Sequence, residues 1–292
     1  MMVRAGHAAT GYRSLWRQMP LGFRIGALIL LTHLIVAVTG QFWAPYGYSQ
    51  MGAGVPLSGM SWRNLLGVDQ LGRDVFSRVV HGSPIVIALS LSATLIGMVT
   101  GAIIGLFSGY VGGWVDLVIQ RLLEALISIP FLVLALIAIS AAGVEASGSP
   151  VLVVLVVALV YAPRIARIAR AAAIDIATRD HVTVARLRGE TPWSVMRREL
   201  LPNASGVLLV EFALRAGYAP VLIGSLGYLG FGMMPPTPEW GLIISENRAL
   251  LLVSPVTVLG PGMALASLVV GLNLFTEGLA RVLGRTVRLG SQ

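Results

Sequence analysis

The side chains that could carry chemistry in this chain are almost all arginines. The 292 residues contain no Cys and no Lys, which excludes thiolate nucleophiles, disulfides, Schiff bases and the lysine of a phosphate-binding loop. The four His are scattered, without the spacing of a metal site or of a base beside a nucleophile. We therefore expect no catalytic residue, no metal site and no bound cofactor, and the remaining chemistry is electrostatic.

The arginines are concentrated in one polar segment, residues 164–203. Eight Arg against four acidic residues give this segment a net charge of +4, half of the +8 of the whole chain. Apolar runs precede and follow it. An Arg at the middle of a bilayer costs about 3 kcal/mol or more, so a segment with this charge cannot lie in hydrocarbon. We predict a loop outside the membrane that is long enough to fold and to bind another protein.

Composition places the chain among integral membrane proteins. Hydrophobic residues make up 56% and charged residues only 12%, with a mean hydropathy of +0.82. Soluble domains average about 25% charged residues. The basic charge is therefore interpreted as a signal of membrane topology rather than of nucleic-acid binding.

Windows of about 20 apolar residues predict an all-α polytopic fold with six transmembrane helices. Six spans place both termini on one side, and that side then holds 15 arginines against four on the other. The positive-inside rule makes the tails at 1–24 and 281–292 and the polar segment cytoplasmic, and residues 45–83 an external loop. No cleavable signal peptide is expected. The predicted spans are 25–44, 84–107, 125–144, 146–163, 205–232 and 258–280, and the last five belong to a core at 84–280.

Small residues and prolines within the spans predict a close helix contact and two kinks. A glycine at every fourth position of the second span would let another helix approach closely, and that helix could belong to this chain or to another subunit. Pro130 and Pro220 predict kinks in the third and fifth spans. The glycines are Gly97, Gly101, Gly105 and Gly109.

The polar segment has the local pattern of two helices joined by a glycine. Good helix formers run as far as Arg188, and Gly189 suits a turn in the left-handed region. Thr191 can cap a second helix that begins at Pro192. We predict a helix, a glycine turn and a second helix.

This pattern resembles the cytoplasmic coupling loop of ABC-transporter permeases, known as the EAA loop. The resemblance lies in His-Val-Thr-Val-Ala-Arg-Leu-Arg-Gly (181–189) and Leu-Leu-Pro-Asn (200–203). Four further stretches look like those of the second permease of dipeptide, oligopeptide and nickel importers, in the same order and spacing. They are Leu-Gly-Val-Asp-Gln-Leu-Gly-Arg-Asp-Val-Phe-Ser-Arg (66–78), Gly-Tyr-Val-Gly-Gly-Trp-Val-Asp (109–116), Ile-Pro-Phe (129–131) and Pro-Pro-Thr-Pro-Glu-Trp-Gly (235–241).

The resemblance implies a type I ABC importer permease in a bacterial inner membrane. Such a permease pairs with a homologous permease and works with two ATPase subunits, which bind the ATP, and with an external solute-binding protein. It is not itself an enzyme. Small residues at Ala185 and Gly189 would let the loop enter an ATPase groove, and Arg186 could pair with an acid there. The residues expected to couple to the ATPase are Thr183, Val184, Ala185, Arg186, Gly189, Leu201 and Pro202.

The chain departs from the family pattern at a few positions. His181 replaces a usual Tyr, Val184 a usual Ala, and Arg188 a Leu-like residue. Ile223 stands where the family often carries an acid, so no role of that acid is transferred. The resemblance favours a peptide or similar small solute, with nickel or an opine-like solute as the alternative. A secondary transporter is a remote alternative, since the two halves show no convincing repeat.

Charged residues outside the polar segment lead to two further expectations. In the external loop, the spacing of Asp74 and Arg78 suits a short interfacial helix. The charged group there, which is either a solvated loop or a contact for the solute-binding protein, comprises Asp69, Arg73, Asp74 and Arg78. Within the spans, Glu211 and Arg215 are four residues apart and predict a structural ion pair in preference to a contact with the substrate.

Overall fold

The computed structural model describes residues 19–143 and 146–289, apart from the side chains of 282–289. Ten α-helices account for most of this part of the chain. They are α1 (Leu21–Trp43), α2 (Val75–Val111), α3 (Gly113–Ser128), α4 (Phe131–Ala142), α5 (Pro150–Ala177), α6 (Asp180–Leu187), α7 (Pro192–Val195), α8 (Leu201–Tyr228), α9 (Trp240–Asn247) and α10 (Val256–Leu289). A π-helical turn, Met196–Leu200, joins α7 to α8.

The helices confirm the all-α polytopic fold. In the described part, five helices are long and apolar enough to cross a membrane, and α3 with α4 forms a sixth, bent span with an angle of 99°. The bend lies at Pro130, which has no backbone donor to continue α3. The predicted kink at Pro130 is therefore confirmed. Helix α8 is unbroken at Pro220, where the kink stays a prediction.

The helices extend beyond the apolar windows. Helix α2 begins at Val75, within the predicted external loop, and α5 continues 14 residues past Pro163. Helix α10 extends through most of the predicted C-terminal tail, while most of the N-terminal tail lies outside the described residues. An apolar window marks only the part of a helix that fits the hydrocarbon, and good helix formers prolong it into water.

Two local expectations are therefore corrected. The polar segment is not one loop, because its first third is the end of α5 and its last residues belong to α8. Only residues 178–191, which include α6, lie between the end of α5 and the start of α7. In the external loop no interfacial helix forms between Ala44 and Asp74; instead Asp74 caps α2 by accepting a hydrogen bond from the Ser77 N–H at 2.7 Å.

The glycines of α2 pack against α5 of the same chain. A Cβ built on Gly101 would lie 2.6 Å from the Ala162 carbonyl oxygen, and one on Gly109 would lie 2.7 Å from that of Arg170. Real carbon atoms do not approach so closely. The small residues thus serve packing within one subunit, which decides between the two alternatives that the sequence left open.

We expect Gly105→Ala to destabilise the protein by about 1–3 kcal/mol, because the added methyl would overlap the α5 backbone and lie 2.7 Å from Ala169 Cβ. The matched control is Gly206→Ala in α8, where a Cβ meets nothing within 4 Å. Removal of a glycine from an open helix position is stabilising by roughly 0.5–1 kcal/mol. Thermal unfolding of the purified protein measures both, and equal midpoints would contradict the close contact.

An apolar core joins α2, α4, α5 and α8. Ile223 lies in this core, 1% exposed, among residues that include Leu89, Ile139 and Tyr161. Ile223, at the position where the resemblance led us to expect an acid, is thus a packing residue. An acid there would have to be buried against aliphatic neighbours, at a cost of several kcal/mol.

Candidate functional site

Residues 179–195 fold into a compact unit, here named the coupling hairpin. Helix α5 ends at Ala177, and the extended backbone of Arg179 redirects the chain into α6. Gly189 has φ +76°, and the Thr191 hydroxyl accepts a hydrogen bond from the Ser194 N–H at 3.3 Å at the start of α7. The predicted helix, glycine turn and capped second helix are confirmed.

The inner face of the coupling hairpin is packed on the transmembrane helices. Val182, Ala185 and Val195 are fully buried in one apolar cluster. Its other members include Leu106 of α2 and Leu208 of α8. Because three spans, α2, α5 and α8, contribute to this cluster, a force applied to the hairpin reaches all three at once.

The position of Ala185 corrects one expectation. Ala185 was expected to let the loop enter a groove of an ATPase subunit, but its side chain is fully buried in the apolar cluster that the hairpin shares with its own spans. Val182 and Ala185 are three residues apart and therefore share one face of α6. The small side chain brings the hairpin close to its own spans, not to a partner.

The outer face of the coupling hairpin is exposed and partly apolar. Leu187 is 83% exposed, Trp193 61% and Val184 49%. Large apolar side chains grouped on a polar loop are typical of a binding surface. Sequence reasoning missed Leu187 and Trp193, although the helical period places Leu187 and Val184 together on the face opposite Ala185. Thr183, Gly189, Leu201 and Pro202, which were predicted to contact the ATPase, are also exposed.

Arg186 is engaged within the chain. Its guanidinium lies over the ring of Tyr110, 4.6 Å from the centroid, and its Nε–H donates to the Tyr110 hydroxyl at 3.3 Å. Tyr110 ends α2, so this cation–π contact ties the hairpin to that span. Arg186 is also exposed, so that its pairing with an acid of the ATPase stays a prediction.

A bidentate ion pair braces α3 against α5. Arg170 Nε and Nη2 lie 2.6 Å and 2.5 Å from the two carboxylate oxygens of Asp116. The Ser108 hydroxyl donates to the same carboxylate at 2.8 Å. Paired guanidinium–carboxylate hydrogen bonds fix orientation as well as distance. The aspartate at the end of the 109–116 stretch therefore holds the bent span in place.

The charged group of the external segment is a buried cluster. Arg73 Nε lies 2.6 Å from Asp69, Arg78 Nη1 lies 2.6 Å from Glu246, and each arginine also reaches the other acid. Asp69 and Arg78 are 0% exposed. Asp74 accepts from the Asn64 amide at 2.9 Å. These buried side chains cannot form the contact with a solute-binding protein that the sequence suggested.

Residues 235–241 form a further set of contacts, here named the clasp, on the same side of the protein as the buried charged cluster. Glu239 accepts hydrogen bonds from the N–H groups of Gly241 and Leu242, both at 2.8 Å, and Trp240 Nε1 donates to the Val79 carbonyl at 2.9 Å. Burial raises the pKa of Glu239 to about 7, although the two backbone N–H groups oppose that rise. The clasp holds α9 on α2.

Residues 101–289 match the family described as "Binding-protein-dependent transport system inner membrane component". The chain belongs to this family. As a member, it is the permease subunit of an ATP-driven importer in a bacterial inner membrane, and it works with ATPase and solute-binding partners.

Two permease relatives align over most of their length. The glutathione transport system permease GsiD of Pectobacterium atrosepticum is 31% identical over 95% of this chain and 92% of that protein. The dipeptide transport system permease DppC of Haemophilus influenzae is 31% identical over 88% of each. A solved structure titled as an inward-facing MetNI methionine ABC transporter aligns with 70% of this permease and 96% of its own chain, with a TM-score of 0.57 and 21% identity, which supports the fold.

Proposed function

We propose that this permease forms half of a translocation path together with a homologous but different permease. The coupling hairpin is its docking site for an ATPase subunit. ATP is bound and hydrolysed only in the two ATPase subunits, and this chain holds no cofactor of its own. One observation carries the proposal: the hairpin is packed on three spans at its inner face, while apolar side chains are exposed at its outer face.

Coupling follows from the rigidity of this arrangement. An ATPase subunit that holds Leu187 and Val184 displaces the hairpin when it closes on ATP. The buried inner face cannot slide without opening voids beside α2, α5 and α8. Movement of the hairpin therefore moves those spans and changes the side on which the path is open.

A short peptide is the proposed solute. The relatives are named for transport of glutathione and dipeptides, and the alignments span nearly the whole chain. Selection of one peptide among many resides in the solute-binding protein, which meets the solute first. The permease then needs to accommodate only what such peptides share, a backbone and a terminal carboxylate.

Reconstitution tests this function directly. We expect proteoliposomes with both permeases, both ATPases and the binding protein to transport labelled dipeptide or glutathione. Transport should require ATP on the side of the membrane that carries the ATPase subunits. Vesicles with this chain alone should show no uptake above protein-free vesicles. Uptake by the single chain, driven by an ion gradient without ATP, would instead identify a secondary transporter.

The proposed orientation places the coupling hairpin in the cytoplasm and the 45–74 segment outside. Single cysteines report on it cleanly, because the natural chain has none. Trp62 is 100% exposed and Leu187 is exposed at the hairpin. In intact spheroplasts that produce the permease without its ATPase subunits, an impermeant maleimide should label Trp62→Cys and leave Leu187→Cys unlabelled until the membrane is opened. The reverse labelling pattern would invert the topology.

A further inference from the structure

Three arginines line an open, shallow cavity between α3, α5 and α8, and Arg164 and Arg167 are exposed there. Its volume is about 580 Å³, and its walls include Arg164 and Arg167 of α5, Arg215 of α8 and Ile127 of α3. Arg164 and Arg167 are three residues apart and share one face of α5. The function assigned to the coupling hairpin uses none of these residues.

The three arginines lie at successive levels along α5 and α8. With a rise of about 1.5 Å per residue, Arg164 is about 21 Å along α5 from Pro150, and the helix continues from there to Ala177. Arg167 lies about one turn nearer the hairpin end. Arg215 is level with Tyr161, whose hydroxyl donates to the Arg215 carbonyl at 3.1 Å. The three arginines thus extend from about the middle of α5 and α8 towards the hairpin end.

The cavity carries an excess of positive charge. Arg215 pairs with Glu211 on the same helix, Nη2 to Oε1 at 2.5 Å, which confirms the pair predicted from the sequence. Among the ion pairs of the described residues, none includes Arg164 or Arg167. Three arginines and one glutamate leave the site with a charge of +2.

Contact with lipid does not account for this charge. Arg215 lies within the predicted span 205–232, and an arginine within a span faces a water-filled cavity or the interior of a bundle, where it marks the route of an ion or solute. A second groove of about 620 Å³, on the α2 side of α8, shows the contrast. It is lined almost entirely by apolar residues, among them Leu95, Val99 and Phe212, as a surface for acyl chains would be.

We propose that the basic cavity is an anion site on the exit route, which binds the carboxylate of the transported solute on its way to the cytoplasm. The inference rests on the proposed function, in which a peptide passes along this permease. A guanidinium binds a carboxylate through two parallel hydrogen bonds. Successive arginines provide successive partners, so that no single one holds the solute too tightly to release it.

Charge-selective labelling tests the site without any transport. Ala171 lines the cavity and is exposed, so Ala171→Cys supplies a single thiol there. The assembled complex is treated with an anionic sulfonate or a cationic ammonium methanethiosulfonate. Rates are normalised to those of a small free thiol, 2-mercaptoethanol, with the same two reagents. We expect the anionic reagent to be favoured about tenfold, and the preference to vanish with Arg164→Gln/Arg167→Gln.

The matched control is Arg121→Gln. Arg121 is also an arginine of a bent-span helix, but it is 86% exposed, pairs only with Glu124 and does not line the cavity. This change should leave the reagent preference intact. An equal effect of Arg121→Gln, or no reagent preference with the native arginines, would overturn the anion site.

A transport ratio identifies the anion as the solute carboxylate. We measure uptake of a dipeptide and of its C-terminal amide by the variant complex. Each value is divided by the uptake of the same compound by the unaltered complex, so that preferences of the binding protein cancel. Arg164→Gln/Arg167→Gln should lower the acid-to-amide ratio about tenfold, the loss expected for a charge-assisted hydrogen bond. An unchanged ratio would refute a role in solute passage.

The remaining outcomes separate the possible sources of failure. If added phosphatidylglycerol blocks labelling of Ala171→Cys while the acid-to-amide ratio stays constant, the site holds a lipid phosphate and the solute proposal is wrong. If the unaltered complex takes up no peptide, the proposed substrate class fails. The labelling ratio then decides the anion site by itself.

Discussion

A complex carrying Leu187→Glu is expected to lose nearly all ATP-driven uptake while remaining assembled in the membrane. Leu187 is the most exposed apolar residue of the coupling hairpin and makes no contribution to its buried inner face. A carboxylate at that position would have to be buried unpaired in the partner's groove, at a cost of several kcal/mol. ATP hydrolysis should then no longer respond to loaded binding protein.

The control is Leu187→Met, which keeps an apolar side chain of similar volume and should retain most of the uptake. Uptake, stimulated ATPase activity and co-purification of the ATPase subunits are measured on the same preparations. A Leu187→Glu complex with normal uptake and normal stimulation would exclude the outer face of the hairpin as the docking surface. Gly189 allows a second test of the same site, because its φ of +76° makes any other residue strained there.

The local features of the coupling hairpin were predictable because their causes are local. A glycine that ends a helix, a threonine cap and a proline at the first helical position act within a few residues of one another. The direction of each side chain was not predictable in the same way. Whether Ala185 faces a partner or the spans of its own chain depends on how the hairpin is placed on them, and Arg186 meets Tyr110, which lies 76 residues away.

The external charges show a different limit of sequence reasoning. Charged residues are usually exposed, so a group of four in a loop suggests a contact surface. Here the acid that completes the cluster, Glu246, lies in α9, far along the chain from Asp69. Only the tertiary fold brings these residues together. The span borders also escaped prediction, because nothing in an apolar window indicates how far its helix continues into water.

Asp69→Asn is expected to destabilise the permease by about 3–5 kcal/mol, the cost of leaving a buried charge without its partner. Asp69 is fully buried and within reach of both Arg73 and Arg78, so its neutralisation leaves two arginines facing Glu246 alone. Asn can still accept the hydrogen bonds that Asp69 Oδ1 receives from the N–H groups of Leu71 and Arg73. The change therefore isolates the charge from the shape of the turn.

The effect is measured as the thermal midpoint and the yield of monodisperse complex, with Arg63→Gln as the control. Arg63 is exposed in the same segment, and its replacement should change stability by no more than about 0.5 kcal/mol. Asp69→Asn/Arg73→Gln restores neutrality and should recover part of the loss, because the remaining Arg78 and Glu246 still pair at 2.6 Å. An Asp69→Asn protein as stable as the natural one would show that the charged cluster does not hold α9 to the start of α2. That contact would then depend on Trp240 and Glu239.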